Sequence, residues 1–451
     1  MKQPNSEEKV LPKLEEKVLK ELYSTYVIPP YQRPYKWHKS HVFQLLDDLY
    51  ENIYIAKRKY RVGTIIIHED ENGNHNIVDG QQRLTTLSLI LYYLGLKNKL
   101  LQNQEYPSEI SKNNLIYNYA QIKQWFKSKT LEERKQDFLK DLENKCEFVI
   151  ITVYHQDEAF QLFDTQNSRG KELYPHDLLK AFHLREMDKD GYTDKEIEQY
   201  VIKWEDYILE KGNPLLDILN NHLYRIRKWI KGEPKYSFTK SDLREFKGVS
   251  LYKNVKYNYE LYLRILDGTI QNTKKDFLLR NFGIAQFYPF QIGMSIINGR
   301  NFFDYVFYYI ELKKQLLEKN ESFSNFYNKR CFDYYGWWRV GDTKVRNLFE
   351  NICLLFVDRF SFQDFNETIY YEEFYKNVYQ LRLENKAISE KSILKHNKAF
   401  RFFNSIPNSY SPEEIKVDLF CDYKAEGEWK DYNYTKGTEE IFNFLTNKTN
   451  E

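Results

Sequence analysis

The chain has 451 residues, a formal net charge of +2, 42% hydrophobic residues, 38 Tyr and 31 Phe, but only 17 Gly and 12 Pro. That length suits two or three ordinary domains, and scarce glycine with long periodic segments favours a mostly helical chain. Near-balanced charge excludes a protein that coats duplex DNA by overall basicity, so a nucleic-acid contact must be local or supplied partly by a partner.

Cys146, Cys331, Cys353 and Cys421 lie far apart, form no metal-ligand pair and read as reduced, buried thiols. The N-terminus is polar, and apolar runs such as Leu84 to Leu96 are too short and too interrupted to span a bilayer. The expectation is a cytoplasmic protein with no membrane segment.

In chain order, residues 7–24 alternate charged and apolar residues at helical spacing and predict a helix. Tyr26 to Trp37 holds three prolines and is an extended loop. Ser40 caps a predicted helix to about Ala56. Tyr60 to His68 reads as a strand, Glu71 to Asn74 as a turn, and His75 to Val78 as the returning strand. A helix is predicted from Gln81 to about Lys99, and helices with charged faces over 103–145. Glu147 to Tyr154 is a short β-branched run, a buried strand. A short helix at Glu158 to Asp164, a polar loop at Thr165 to Leu173 and a helix from Pro175 to Met187 follow.

Beyond about 195 the segments 195–211, 214–230, 255–271, 276–298, 301–318 and 342–361 carry apolar stripes at helical spacing, with Gly232 to Gly248 as a polar connection. Ile415 to Cys421 reads as a strand and Glu439 to Leu445 as a final helix. The expected class is α+β. The expected domains are an α/β domain over 1–190, a helical domain over 191–400 and a mixed extension of unassigned role over 401–451.

Three polar clusters stand out. Asp79, Gly80, Gln81, Gln82 and Arg83 sit between an apolar strand and an apolar helix, where free N–H groups and the helix dipole favour anions. Gly80 allows close backbone approach. Arg83 can grip a phosphate bidentately, Asp79 can hold Mg²⁺ or position a water, and Gln81 or Gln82 can orient that water. Gln32 and Arg33 lie on a stiff backbone among Tyr31, Tyr35 and Trp37, a combination that suits a nucleobase with phosphates. Asn167, Arg169, Gly170 and Lys171 lie in a loop entering a helix. Each cluster also has a bland reading: a capped helix start, a surface loop whose aromatics cover the core, and a turn with a solvated Arg and Lys.

Taken in order, these pieces resemble the GmrSD-type modification-dependent (type IV) restriction family, in its GmrS-like N-terminal domain. The matching stretches are Ile28 to Trp37, Gly63 to Ile67, Val78 to Leu87 with the Asp-Gly-Gln-Gln-Arg motif, and Phe163 to Leu173 running on to Asp177 to Lys180. They cover roughly residues 20–190.

The resemblance implies a ParB/sulfiredoxin-like fold and nucleotide binding and hydrolysis, with GTP favoured, tied to cutting of foreign or modified DNA. It makes Asp79, Gln81, Gln82 and Arg83 the catalytic set. Tyr31, Gln32, Arg33, Tyr35, Trp37, Gly80, Thr85, Asn167, Arg169, Gly170 and Lys171 would line the nucleotide pocket, with Gly63 opening the strand beside it. Longer relatives end in a His-Me finger nuclease with a His-rich motif. Here the only histidine after His222 is His396, so either the nuclease is a separate subunit or the NTPase-like domain works differently here.

Weaker candidates remain. Arg225, Arg227, Lys228 and Lys231 form a basic stretch with aromatics that either touches a nucleic-acid backbone or is a solvated helix face. Tyr334 to Arg339 is aromatic-rich and reads as core or partner contact. His68 and His75 flank a turn without further ligands, so they make no metal site. The sequence therefore points to an Mg²⁺-assisted NTPase switch that gates DNA cleavage, acting on phage or modified DNA and open to oligomerisation. Two rivals are a metal-dependent nuclease in its own right and a non-hydrolysing nucleotide or DNA sensor.

Overall fold

A computed structural model describes residues 11–23, 26–29, 32, 34–70, 72–97, 99–106, 108–154, 174–275, 291–366, 368–419 and 437–446. The fold is α+β. The chain forms two compact units, the first comprising Met1–Leu173 with Asp194–Ile202, the second Tyr174–Thr193 with Lys203–Glu451.

The first unit is built on strands β1 (Lys13–Val18), β2 (Tyr26–Val27), β3 (Tyr60–Glu69), β4 (His75–Asp79) and β5 (Cys146–Val153), with helices α1 (Lys39–Leu49), α2 (Gln81–Tyr93), α3 (Glu109–Ser128) and α4 (Lys135–Lys145). The strands make one mixed sheet in the order β1-β5-β3-β4-β2. Central β3 runs parallel to β5 and antiparallel to β4, while β5 and β1 pair antiparallel. Alternation along the β-branched runs puts Ile65, Ile67, Ile77, Phe148 and Ile150 into one large core with Leu45, Leu87, Trp125 and Phe138 of α1–α4. Ile66, Val78 and Val153 form a smaller cluster of their own. This core holds β4 and α2 rigidly on either side of Gly80.

Several expectations need correction. Lys13–Val18 is a strand, not helix; its six charged and apolar residues fit either period, and pairing with β5 from Lys13↔Thr152 to Val18↔Glu147 decides the matter. Its charges suit an edge position. The helix predicted to Lys99 stops at Tyr93. Gly95, at φ +92°, turns the chain, and the Leu96 N–H returns to the Leu91 carbonyl at 3.0 Å. The helix expected to Ala56 is α-helical only to Leu49 and then widens into a π-helical turn, Tyr50–Ile55, and His38 rather than Ser40 stands at its N-cap.

The second unit is helical among its described residues. Its elements include α5 (Pro175–Lys189), α6 (Asp194–Leu209, whose first part belongs to the first unit), α7 (Tyr224–Ile230), α8 (Asn258–Lys275), α9 (Arg300–Lys314), α10 (Glu321–Cys331), α11 (Val340–Arg359), α12 (Thr368–Glu384), α13 (Asn397–Asn408), α14 (Pro412–Leu419) and α15 (Thr438–Leu445). The many Tyr and Phe fill its core; Tyr375 and Tyr379 stack at 4.0 Å between ring centroids. Cys146, Cys331 and Cys353 are free and buried, and Cys421 lies outside the described residues.

Here too the reading shifts. Pro412–Leu419 is helix where a strand was expected, begun by Pro412 and by Glu413 and Glu414 in the first turn. Residues 291–298, expected as the end of a helix, are turn and bridge, with Ile297 pairing Val249. The polar connection after Gly232 contains a 3₁₀ helix, Lys240–Phe246, that buries Glu245 and Phe246. The short helix expected at Glu158 to Asp164 lies outside the described residues. No described helix is long and apolar enough to cross a membrane.

Candidate functional site

β4 ends at Asp79 and α2 begins at Gln81, so one residue makes the turn between them. Gly80 takes φ +96°, and a Cβ there would stand 3.1 Å from Ile65 Cγ1. The conformation disfavours any side chain there, and a Cβ would also press Ile65 by a few tenths of an ångström. Among the described residues no side chain caps the start of α2, a place whose first N–H groups favour an anion.

Arg83 leans back over β3. Its Nη2 donates to the Thr64 carbonyl at 2.7 Å and its Nη1 to the Val62 carbonyl at 3.4 Å, and Asp79 lies 3.5 Å away. The guanidinium occupies the space over Gly63, at the point where the β3–β5 register shifts. Gly63 thus admits Arg83 instead of opening the strand to a ligand. The Asp79 and Arg83 side chains are each about a quarter exposed, at 26% and 25%.

Gln82 is spent on the proline-rich loop. Its Oε1 accepts from the Lys36 N–H at 2.8 Å and its Nε2 donates to the Pro34 carbonyl at 3.1 Å. Gln32 does the same in the opposite direction, its Nε2 donating to the carbonyls of Ile77 and Val78. From α3, Ser111 accepts from the Tyr35 N–H, Asn114 donates to the Tyr35 carbonyl, and Asn118 donates to the Tyr35 hydroxyl and the Trp37 carbonyl. Tyr35 is fully buried, with its hydroxyl 2.8 Å from Thr86 Oγ1, so it is a core residue and no platform for a base. Trp37 stacks on His41 and packs against the core. Thr85 is buried, 3.3 Å from the Tyr106 hydroxyl.

Beside this lattice opens a cleft of about 620 Å³ in the first unit. Gln32 and Gln81 line it together with Pro29, Gln104, Tyr106, Ser108 and Lys112. The structure therefore brings Gln32, Gln81 and the α2 start to one cavity, while Asp79 and Arg83 are not among its lining residues. Tyr31, Arg33, Asn167, Arg169, Gly170 and Lys171 fall outside the described residues.

The α3 residues escaped the sequence reading, yet they left a signal. Ser111, Asn114 and Asn118 repeat at helical spacing and form a polar stripe where a packed helix normally presents apolar side chains. Among the described residues no group of three His, Cys, Asp or Glu could hold a metal ion. Asp79, a single carboxylate, fits Mg²⁺ only in the mode where substrate phosphates supply much of the coordination.

The two arginines of the basic stretch do not lie on a solvated face. Arg225 and Arg227 are buried. Arg225 donates to the Tyr236 carbonyl and Asn221; Arg227 bonds Glu245 and the carbonyls of Ile292 and Met294. Lys228 and Lys231 reach Glu245 at 3.1 and 2.6 Å. Tyr334 is buried and bonds Asp342, while Tyr335 and Trp338 remain exposed.

Residues 15–184 match the family described as GmrSD restriction endonuclease, N-terminal domain, and residues 196–433 match a family of unknown function, DUF7834. No curated protein matches the chain.

Proposed function

We propose that this chain, which belongs to the GmrSD-type restriction family through residues 15–184 and to the family of unknown function DUF7834 through residues 196–433, is the nucleotide-binding component of a cytoplasmic anti-phage restriction system. Its first unit binds an NTP, with GTP favoured, and nucleotide state gates DNA cleavage performed by a partner nuclease. The observation that carries this reading is the cleft of about 620 Å³ where Gln32, Gln81 and Lys112 meet beside the uncapped start of α2. The α2 N–H groups and Lys112 favour phosphate, against the carboxylates Glu105 and Glu198 in the cleft and Glu109 paired with Lys112 at 2.7 Å, and the two amides can fix its orientation.

The chain's own residues have separable parts in this scheme. The α2 N–H groups and Lys112 meet the phosphate charge. Gln81 is the amide left to orient a water, because Gln82 has both amide atoms bonded to loop backbone. Mg²⁺, when bound, would neutralise phosphate charge and be held mainly by phosphate and water, because Asp79 faces Arg83 and does not line the cleft. Arg83 holds the strand beside the junction.

A second reading has an observation in its favour. With Gln82 and Arg83 committed to protein carbonyls and N–H groups, the unit is better equipped to hold a nucleotide than to hydrolyse one. It would then be a sensor whose occupancy alone signals to the partner.

Phosphate release from GTP and ATP with Mg²⁺, with and without DNA, separates the two. Release by wild type that falls about tenfold or more in Gln81→Ala supports the hydrolytic reading. Tight binding with no release supports the sensor. No nucleotide binding at all overturns both.

A further inference from the structure

Lys228 on α7, Lys231 just beyond it, and Arg244 and Lys247 around the 3₁₀ helix converge in the second unit. With Arg227 they supply five cationic side chains to one cavity of about 460 Å³, against two carboxylates, Asp242 and Glu245. Glu245 is the anchor. Its side chain is 3% exposed and accepts from Arg227 Nε at 2.9 Å, Lys228 Nζ at 3.1 Å and Lys231 Nζ at 2.6 Å. One buried carboxylate thus positions three cations; Lys228 also pairs with Glu233 at 2.9 Å, and the cavity keeps a modest excess of positive charge. Arg244 is exposed, with no side-chain partner among the described residues.

The wall is stiff. The Val249 N–H donates to the Ile296 carbonyl at 2.9 Å and the Asn298 N–H to the Val249 carbonyl at 2.8 Å. The two backbones approach so closely at Gly248 that a Cβ there would fall 1.9 Å from the Ile296 oxygen.

Aromatic rings stand free at the rim. Tyr259 lines the cavity and is 50% exposed; its ring lies nearly parallel to that of Tyr257, itself 52% exposed, at 6.0 Å and 13°. Exposed tyrosines next to a fixed cationic cavity match the chemistry of an unpaired nucleotide strand, whose phosphates seek charge and whose bases seek flat rings. A base-paired duplex hides its base faces from such rings.

We propose that this cavity and the Tyr257–Tyr259 pair form a binding site for single-stranded nucleic acid, with a phosphodiester among Lys228, Lys231, Arg244 and Lys247 and a base on Tyr259. The site rests on the second unit alone and does not depend on the nucleotide reading of the first.

The test is fluorescence anisotropy of the full chain with a labelled single-stranded DNA 20-mer and with its duplex. Inorganic phosphate and GTP serve as competitors. Single strand bound at least about tenfold tighter than duplex, and not displaced by millimolar phosphate or GTP, is the expected result. Tyr259→Ala lowers affinity by about tenfold or more while Tyr259→Trp retains it. Arg244→Ala shallows the slope of log affinity against log salt by about 0.7. Both positions are exposed, and unchanged thermal unfolding of each variant shows that the fold is intact. Equal affinity for duplex, displacement by free phosphate or GTP, or binding indifferent to both alanine variants overturns the proposal.

Discussion

Arg83 and Gly63 share one space. A Cβ on residue 63 would lie 1.8 Å from Arg83 Nη1, and Gly63 holds φ +148° where the β3–β5 register shifts. The glycine in one part of the chain is therefore required by an arginine twenty residues later. Gly63→Ala is expected to destabilise the protein by about 2 kcal/mol through strain and displacement of the guanidinium. Arg83→Ala costs a similar amount through the lost charged bonds to the β3 carbonyls. Because the double variant has no clash left, it should be less destabilised than the sum of the two; urea unfolding of all four proteins gives the coupling.

Gln82→Leu removes the amide that bonds the buried Pro34 carbonyl and the part-buried Lys36 N–H. About 2–3 kcal/mol of stability should be lost. Gln81→Leu, which disturbs no comparable backbone pair, should cost far less stability while weakening nucleotide binding. Paired unfolding and binding curves check this division; equal stability losses would contradict it.

Alkaline pH should loosen the first unit. Burial pushes the phenols of Tyr35 and Tyr106 up to about 12, whereas an unfolded tyrosine ionises near 10. With the folded value above the unfolded one, their contribution is complete below about pH 10 and is lost as pH rises toward 12. A Tyr35→Phe, Tyr106→Phe variant should show a shallower fall of stability over that window in pH-dependent unfolding.

The second unit carries an acid-side counterpart. Asp358, partly buried, has its carboxyl raised to about 7 by desolvation, against the donors Tyr309 Oη and the Ile292 N–H. Folding thus favours the protonated form. Its contribution is complete below about pH 4 and disappears as pH rises through 7. Asp358→Asn should flatten the decline of stability between pH 4 and 7 and leave the variant relatively more stable at pH 8.

What the sequence made legible was local. The β4–α2 junction was readable because an apolar strand, a glycine and an apolar helix follow one another without a gap. The roles of its polar residues were not, because their partners are distant: Gln82 bonds residues 34 and 36, and Arg83 bonds the carbonyls at 62 and 64. The Lys13–Val18 strand misled for the same reason, since β5 lies more than a hundred residues away. Arg225 and Arg227 looked like surface charges because nothing nearby in sequence announces the Tyr236 and Ile292 carbonyls that receive them. Tyr35 looked like a platform for a base, and three side chains of α3 turned out to hold it inside.

The most direct measurement is a calorimetric titration of GTP with Mg²⁺ into the full chain, set beside Gln81→Ala and Lys112→Ala. Gln81 accepts one bond of 3.3 Å from Gln82 Nε2 and Lys112 bonds Glu109, but neither holds the backbone of the proline-rich loop, so both variants should fold. Saturable one-site binding by wild type, weakened about tenfold or more in each variant, is the predicted result. No binding by wild type, or identical binding by all three proteins, would contradict the assignment of the cleft.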